Sequence, residues 1–272
     1  AVDNYGNVYA VEDHSVKKFN SSLQLLFTIS GLSLPFDVGV DNNGNIYVLD
    51  QGTSSVKKYD SSGSFITQTS MPETVQSLSV VGNYVYVTHN NPGTNGAVVK
   101  LDLSLSQILT IPVYYPTTVT ADSSGNIYVF KMFYDPNTTA CLIQKYSSSG
   151  SLISEFGGCG SVGELGKFSH QVYGMEVDSS GNIYVAEHNR KRIQVLDSSG
   201  NLVRWFGDDW ETGQGMFGRI NDVTVDSAGN VYVQDMDNDR IQIFPPNYGQ
   251  TAAEAAAEAA AEAAAEAADT TP

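Results

Sequence analysis

"DSSGNIYVAEHNRKRIQVLDSSGN", residues Asp178–Asn201, opens and closes on the same five residues, nineteen positions apart. Such a pentapeptide fits a tight turn. Aspartate caps it through its side chain, and glycine supplies the positive φ that a hairpin connection needs. One turn chemistry used twice within twenty-odd residues points to two hairpins of like geometry. The motif GN[IV]Y recurs at Gly6–Tyr9, Gly44–Tyr47, Gly125–Tyr128, Gly181–Tyr184 and Gly229–Tyr232, with the variant GNYVY at Gly82–Tyr86. The tyrosines stand at 9, 47, 86, 128, 184 and 232, which marks out six units of about 40 residues with loop insertions.

A second landmark follows each tyrosine: VKKF from Val16, VKKY from Val56, VVKL from Val98, IQKY from Ile143, IQVL from Ile193 and IQIF from Ile241. Apolar and polar residues alternate there, the period of a strand with one buried face. A strand also precedes each GN motif, as in "YGMEVD", and another follows each second landmark, as in "NLVRWFG". Each unit therefore reads as four strands, a to d, with the Asp-to-Asn turn joining a to b and c to d. The expected fold is all-β, a six-bladed β-propeller of four-stranded antiparallel blades over residues 1–247. Two packed sandwiches are the alternative, but sandwiches do not repeat so regularly.

"VDSSGNIYVAEHNRKRIQVLDSSGNLVRWFG" resembles an NHL repeat, and so does "VDSAGNVYVQDMDNDRIQIFP". The loop "GGCGSVGELGKFS" is similar to loops of that family, whose members are mostly six-bladed propellers. The resemblance spans residues 1–245 and is weakest in blade 3.

Blade 6 reads a, b and c, and after "IQIFPP" no d strand follows; blade 1 keeps only "AVD" of its strand a. The closing strand would come either from residues before Ala1 or from another subunit, which would join propellers by strand addition. Residues 248–272 form a separate segment. Ala-Glu repeats there predict an α-helix over 252–268 that serves as a spacer or as an assembly contact, running into a Thr/Pro linker at "DTTP".

Fourteen Lys and Arg stand against 30 Asp and Glu, a net charge of −16. Such a chain repels phosphate backbones, so nucleic acid is not an expected partner. No apolar run approaches a membrane span. Cys141 and Cys159 fall at the same end of one blade and are expected to form a disulfide, which implies an oxidising compartment. Asn20 and Asn137 begin glycosylation triplets. An extracellular or cell-surface location follows as an expectation.

Some NHL-like propellers are lyases that hold zinc through histidines at the start of strand a. Here those positions are Phe36, Gln76, Thr117, Tyr173 and Asn221, and none is histidine. The four histidines, at 14, 89, 170 and 188, show no repeating ligand spacing. Asp37, Asn221 and Asp222 are the candidate metal ligands; their hard oxygens suit calcium, or they simply cap strand a. No other cofactor is expected. "DMDNDR" and "EHNRKR" read as turns between strands b and c, with Asp235 paired to Arg240. Phe133, Tyr134, Trp210 and Phe217 could form an aromatic patch for protein or glycan contact, with Tyr173 at the channel mouth, or could pack between blades. The first functional reading is a non-catalytic binding or structural module, in an assembly or filament. The second is a metal-dependent lyase or hydrolase with its site at the channel mouth.

Overall fold

A computed structural model of the chain describes residues 1–72, 74–90, 96–135, 138–161, 164–207, 215–251, 253–254 and 257, the side chains of 133–139 excepted. Six antiparallel sheets follow one another along the chain as six blades. Blade 1 consists of Val8–Glu12, Ser15–Phe19 and Leu25–Ser30. Blade 2 is Pro35–Val40, Ile46–Asp50, Ser55–Tyr59 and Phe65–Ser70; blade 3 is Thr74–Val81, Tyr84–Asn90, Ala97–Asp102 and Gln107–Pro112. Blade 4 is Pro116–Ala121, Ile127–Asp135, Thr138–Tyr146 and Leu152–Gly157. Blade 5 is Val172–Val177, Ile183–Glu187, Arg192–Leu196 and Leu202–Phe206; blade 6 is Ile220–Val225, Val231–Asp235 and Arg240–Phe244. The first strands of blades 2 to 6 pack on one another around a central channel.

The repeated turn performs two jobs at once. In blade 2, Asp41 Oδ1 accepts the backbone N–H groups of Asn43 and Asn45. Its Oδ2 accepts the Asn45 amide and, at 3.1 Å, the hydroxyl of buried Tyr47. The same set recurs at Asp3, Asp122, Asp178 and Asp226. The motif thus ties turn geometry to a core tyrosine six residues on. Gly44 and its counterparts at 6, 125, 181 and 229 adopt positive φ, as the turn requires. Blade 3 has no such aspartate, and its a–b connection shortens to the two residues Gly82 and Asn83. At the c–d turns, Gly63, Gly150 and Gly200 hold the left-handed position, but blades 1 and 3 put Leu23 and Leu105 there.

A cation lies over each of the five deeply buried tyrosines. Lys18 faces Tyr9, Lys58 faces Tyr47, Lys100 faces Tyr86, Lys145 faces Tyr128 and Arg204 faces Tyr184, at 5.0–5.7 Å from the ring centres. Five of the fourteen basic residues are thereby spent between blades rather than on a binding face.

Five hydrophobic clusters fill the gaps between successive blades, from blades 1 and 2 to blades 5 and 6. Among the described residues no sixth cluster joins blade 6 to blade 1. Among the described residues, strand a of blade 1 is represented by the single Val2–Val8 bridge, and blade 6 has no d strand. The chain leaving blade 6 instead places Gln250–Thr251 beside the outer strand of blade 5, pairing with Trp205 and Arg204. Tyr248, packed on Phe206 and Phe244, anchors that crossing.

Thr251 then begins a capping box. Its backbone N–H and hydroxyl both reach the Glu254 carboxylate, and the Glu254 N–H returns to the Thr251 hydroxyl. Residues 253, 254 and 257 are helical, and the remainder of the expected helix lies outside the described residues. Among the described residues no helix is long and apolar enough to cross a membrane.

Candidate functional site

Strand a of blades 2 to 6 carries a bulge at one position each. The register passes over Phe36, Gln76, Thr117, Tyr173 and Asn221. A bulge leaves one residue unpaired and re-aims its neighbours. The residues that follow, Asp37, Ser77, Thr118, Gly174 and Asp222, stand in register around the channel. A polar cavity of about 100 Å³ lies among Asp37, Ser77, Thr118, Glu176 and Asp222.

Asp37 and Asp222 are therefore brought together from blades on either side of blade 1, as the sequence suggests, while Asn221 is not. The Asn221 amide turns to the Met236 sulfur. Glu176, two residues beyond the bulge-adjacent position of blade 5, joins the two aspartates; the sequence signal was the polar residue at that second inward position. Burial and the charge of Asp222 push the Asp37 carboxyl up to about 7. Burial and Asp222 push Glu176 up to about 8, and burial raises Asp222 as well. All three side chains are half-buried, facing the confined space of the channel, and their crowding there favours the neutral form.

The carboxylates do not form a ready metal cage. Asp37 accepts the N–H groups of Val38 and Leu78 and the Ser77 hydroxyl; Asp222 accepts the N–H of Val223. Among the described residues, only Cys141, Cys159 and His170 bring three ligand atoms within 4.8 Å of one another.

Around the channel mouth, polar side chains clasp one blade to the next. His14 Nδ1 meets the Ser33 carbonyl at 2.8 Å and His188 Nδ1 meets that of Ile220 at 2.9 Å. Gln51 donates to Val75, Asn90 to Pro116 and Thr117 to Val172. Two of the four histidines thus have a structural place at blade junctions.

The charged b–c turns are likewise internal. Buried Asp235 accepts Arg240 at 2.8 Å and the Gly218 N–H, as the sequence suggests. Glu187 takes Arg190, Arg192, Gln194 and the Ser169 N–H. Asp50 takes Lys57 and the N–H groups of Ser33 and Leu34, and these bonds hold its carboxyl near 2 against the burial that would raise it.

Of the aromatic candidates, Phe217 packs against Phe206 and Phe244 in the core between blades 5 and 6 and is not a surface residue. Tyr173 is exposed at the mouth, edge-on to His188 at 5.0 Å, and Phe36 is exposed at the matching position of blade 2. The side chains of Phe133 and Tyr134, and Trp210, lie outside the described residues, as does Asn137. Asn20 takes the capping place of aspartate in its turn: its amide donates to Gln24, and its carbonyl oxygen accepts from Ser22 and Gln24. Cys141 and Cys159 form the expected disulfide.

No protein-family model and no curated protein sequence matches the chain. Solved structures do. A hydrazine synthase from Kuenenia stuttgartiensis superposes with a TM-score of 0.67 at 11% identity, over 90% of this chain and 94% of that one. Virginiamycin B lyase from Staphylococcus aureus gives 0.61 at 11% identity, over 91% and 83%. A WD40 β-propeller domain gives 0.59 at 14% identity, over 91% and 92%. At these identities the likeness defines the fold, a six-bladed propeller, and nothing finer.

Proposed function

We propose that this chain is a non-catalytic binding or structural module of the cell exterior, built on NHL-type repeats, and that the edge of blade 6 left open among the described residues takes up a further strand, a second copy of the chain being one source. One observation carries the reading. Ile193 and Val195 of blade 5 are fully buried against blade 6, whereas Ile241 and Ile243, their counterparts in blade 6, are each 38% exposed. Arg240–Phe244 is paired only to Val231–Asp235, so its other edge is open among the described residues. An open edge beside half-exposed isoleucines suits β-augmentation, with backbone bonds for affinity and apolar side chains for register. Covering the two isoleucines is worth on the order of 1 kcal/mol each. The disulfide and the acidic, lysine-poor composition support the exterior location. A glycan at the Tyr173 and Phe36 mouth is a compatible further ligand.

Amide exchange at residues 240–244 tests the reading, with and without a synthetic peptide of sequence Asn201–Val225, which carries a d and an a strand. Slowed exchange with peptide, lost in Ile241→Lys, is expected. Unchanged exchange, or protection already complete in the isolated monomer, refutes it.

The second reading, a metal-dependent lyase or hydrolase, is favoured by one feature, the three carboxylates gathered in the channel. Its test is the metal content of native material: a stoichiometric divalent ion lost in Asp37→Asn would support it.

A further inference from the structure

The corner that holds the disulfide contains more than a covalent staple. Cys141 lies within strand c of blade 4 and is fully buried; Cys159 follows strand d of that blade and is half-buried. His170, on the approach to strand a of blade 5, is exposed, and its Nδ1 stands 3.0 Å from the Cys141 sulfur. Two backbone arms fix this meeting. Gly158 donates to Cys141, Phe168 to Gly158, and Gly160 back to Phe168, which zips residues 158–160 onto the segment leading to His170.

We propose that reduction of the Cys141–Cys159 disulfide converts this corner into a zinc site with Cys141, Cys159 and His170 as its three protein ligands. Two thiolates and an imidazole are the donor set zinc prefers over hard cations. All three ligand atoms already lie within 4.8 Å of one another. Zinc–sulfur bonds of about 2.3 Å at a tetrahedral angle place two sulfurs about 3.8 Å apart, so the pair must part once the bond between them is broken. The arm bearing Cys159 can give: it contains Gly157, Gly158 and Gly160, the first two at positive φ. The exposed side, where His170 sits, leaves the fourth position to water.

The chemistry balances with a dithiol as reductant. Its two thiols pass two electrons and two protons to the disulfide, giving two cysteine thiols and a cyclic disulfide of the dithiol. Zinc then displaces the two thiol protons, so uptake releases two protons per ion. The oxidised corner has no thiolate to offer, and the site exists only in the reduced chain.

The whole folded chain is reduced with a phosphine, equilibrated with zinc, desalted and analysed for metal, with circular dichroism followed throughout. One zinc per chain is expected after reduction and none before it. Cobalt in place of zinc should give thiolate charge-transfer and tetrahedral bands. Because outer-sphere changes alone weaken zinc sites about 10–100-fold, removing a direct ligand in His170→Ala should weaken binding at least about tenfold. Cys159→Ser should abolish it. Equal uptake by the oxidised chain, no uptake by the reduced chain, unaltered affinity in His170→Ala, or a β spectrum lost on reduction that zinc does not restore would each overturn the proposal.

Discussion

Ile193 and Ile241 stand at the same position of strand c in successive blades, opposite Ala186 and Gln234, yet Ile193 is fully buried and Ile241 is 38% exposed. The difference is one of neighbours. Ile193 has blade 6 on its flank and Leu202–Phe206 along its edge, and Ile241 has neither a sixth core cluster nor a fourth strand among the described residues.

That difference should register in stability. Ile193→Ala removes a fully packed side chain and should cost about 2–5 kcal/mol. Ile241→Ala in the isolated chain should cost about 1 kcal/mol or less. Urea unfolding of the two variants measures both; equal losses would mean that the seam is packed.

The channel carboxylates make stability depend on pH with a definite sign. Asp37, Glu176 and Asp222 are raised in the folded chain, so between about pH 4 and 8 the folded state binds more protons than the unfolded state. The contribution of Asp37 and Glu176 is therefore full below about pH 4 and is lost as pH rises through about 7 and 8, and Asp222 acts in the same direction. Asp50, held near 2, acts oppositely and loses its contribution only in acid. Thermal midpoints should fall from pH 5.5 to 8.5, and Glu176→Gln should flatten that slope. A slope unchanged by the substitution would place the pH dependence elsewhere.

Asp122 serves two backbone N–H groups, the Asn126 amide and the Tyr128 hydroxyl. Asp122→Ala leaves these donors without their acceptor and should cost about 1–3 kcal/mol. Chemical denaturation of this variant beside Asp60→Ala, whose turn binds no tyrosine, separates the tyrosine's share from that of the turn.

Leu23 occupies a left-handed turn position with its side chain exposed. A non-glycine residue there costs roughly 1–2 kcal/mol, and glycine loses part of that in chain entropy. Leu23→Gly should stabilise the chain by about 0.5 kcal/mol, read from the urea midpoint. Leu105→Gly should not, because Leu105 is also packed in the core between blades 2 and 3.

The blades were legible because turn chemistry is local: Asp, Gly, Asn and Tyr at fixed offsets dictate a hairpin before any tertiary contact forms. The disulfide was legible because Cys141, within strand c, and Cys159, just past strand d, lie toward the same end of one blade. What the sequence left dark depends on contacts between distant units. Gln250–Thr251 carries no strand pattern, and it pairs with blade 5 because Tyr248 is drawn between Phe206 and Phe244. Glu176 becomes a channel residue only through the bulge at Tyr173, and His170 meets Cys141 only through the zipped loop arms.

Light scattering after size exclusion bears most directly on the seam. A mass above the 29.2 kDa of one chain, rising with concentration and returning to one chain in the Ile241→Lys, Ile243→Lys double variant, is the expected result. A monomer at every concentration, with amides 240–244 protected and the double variant no different, would contradict it.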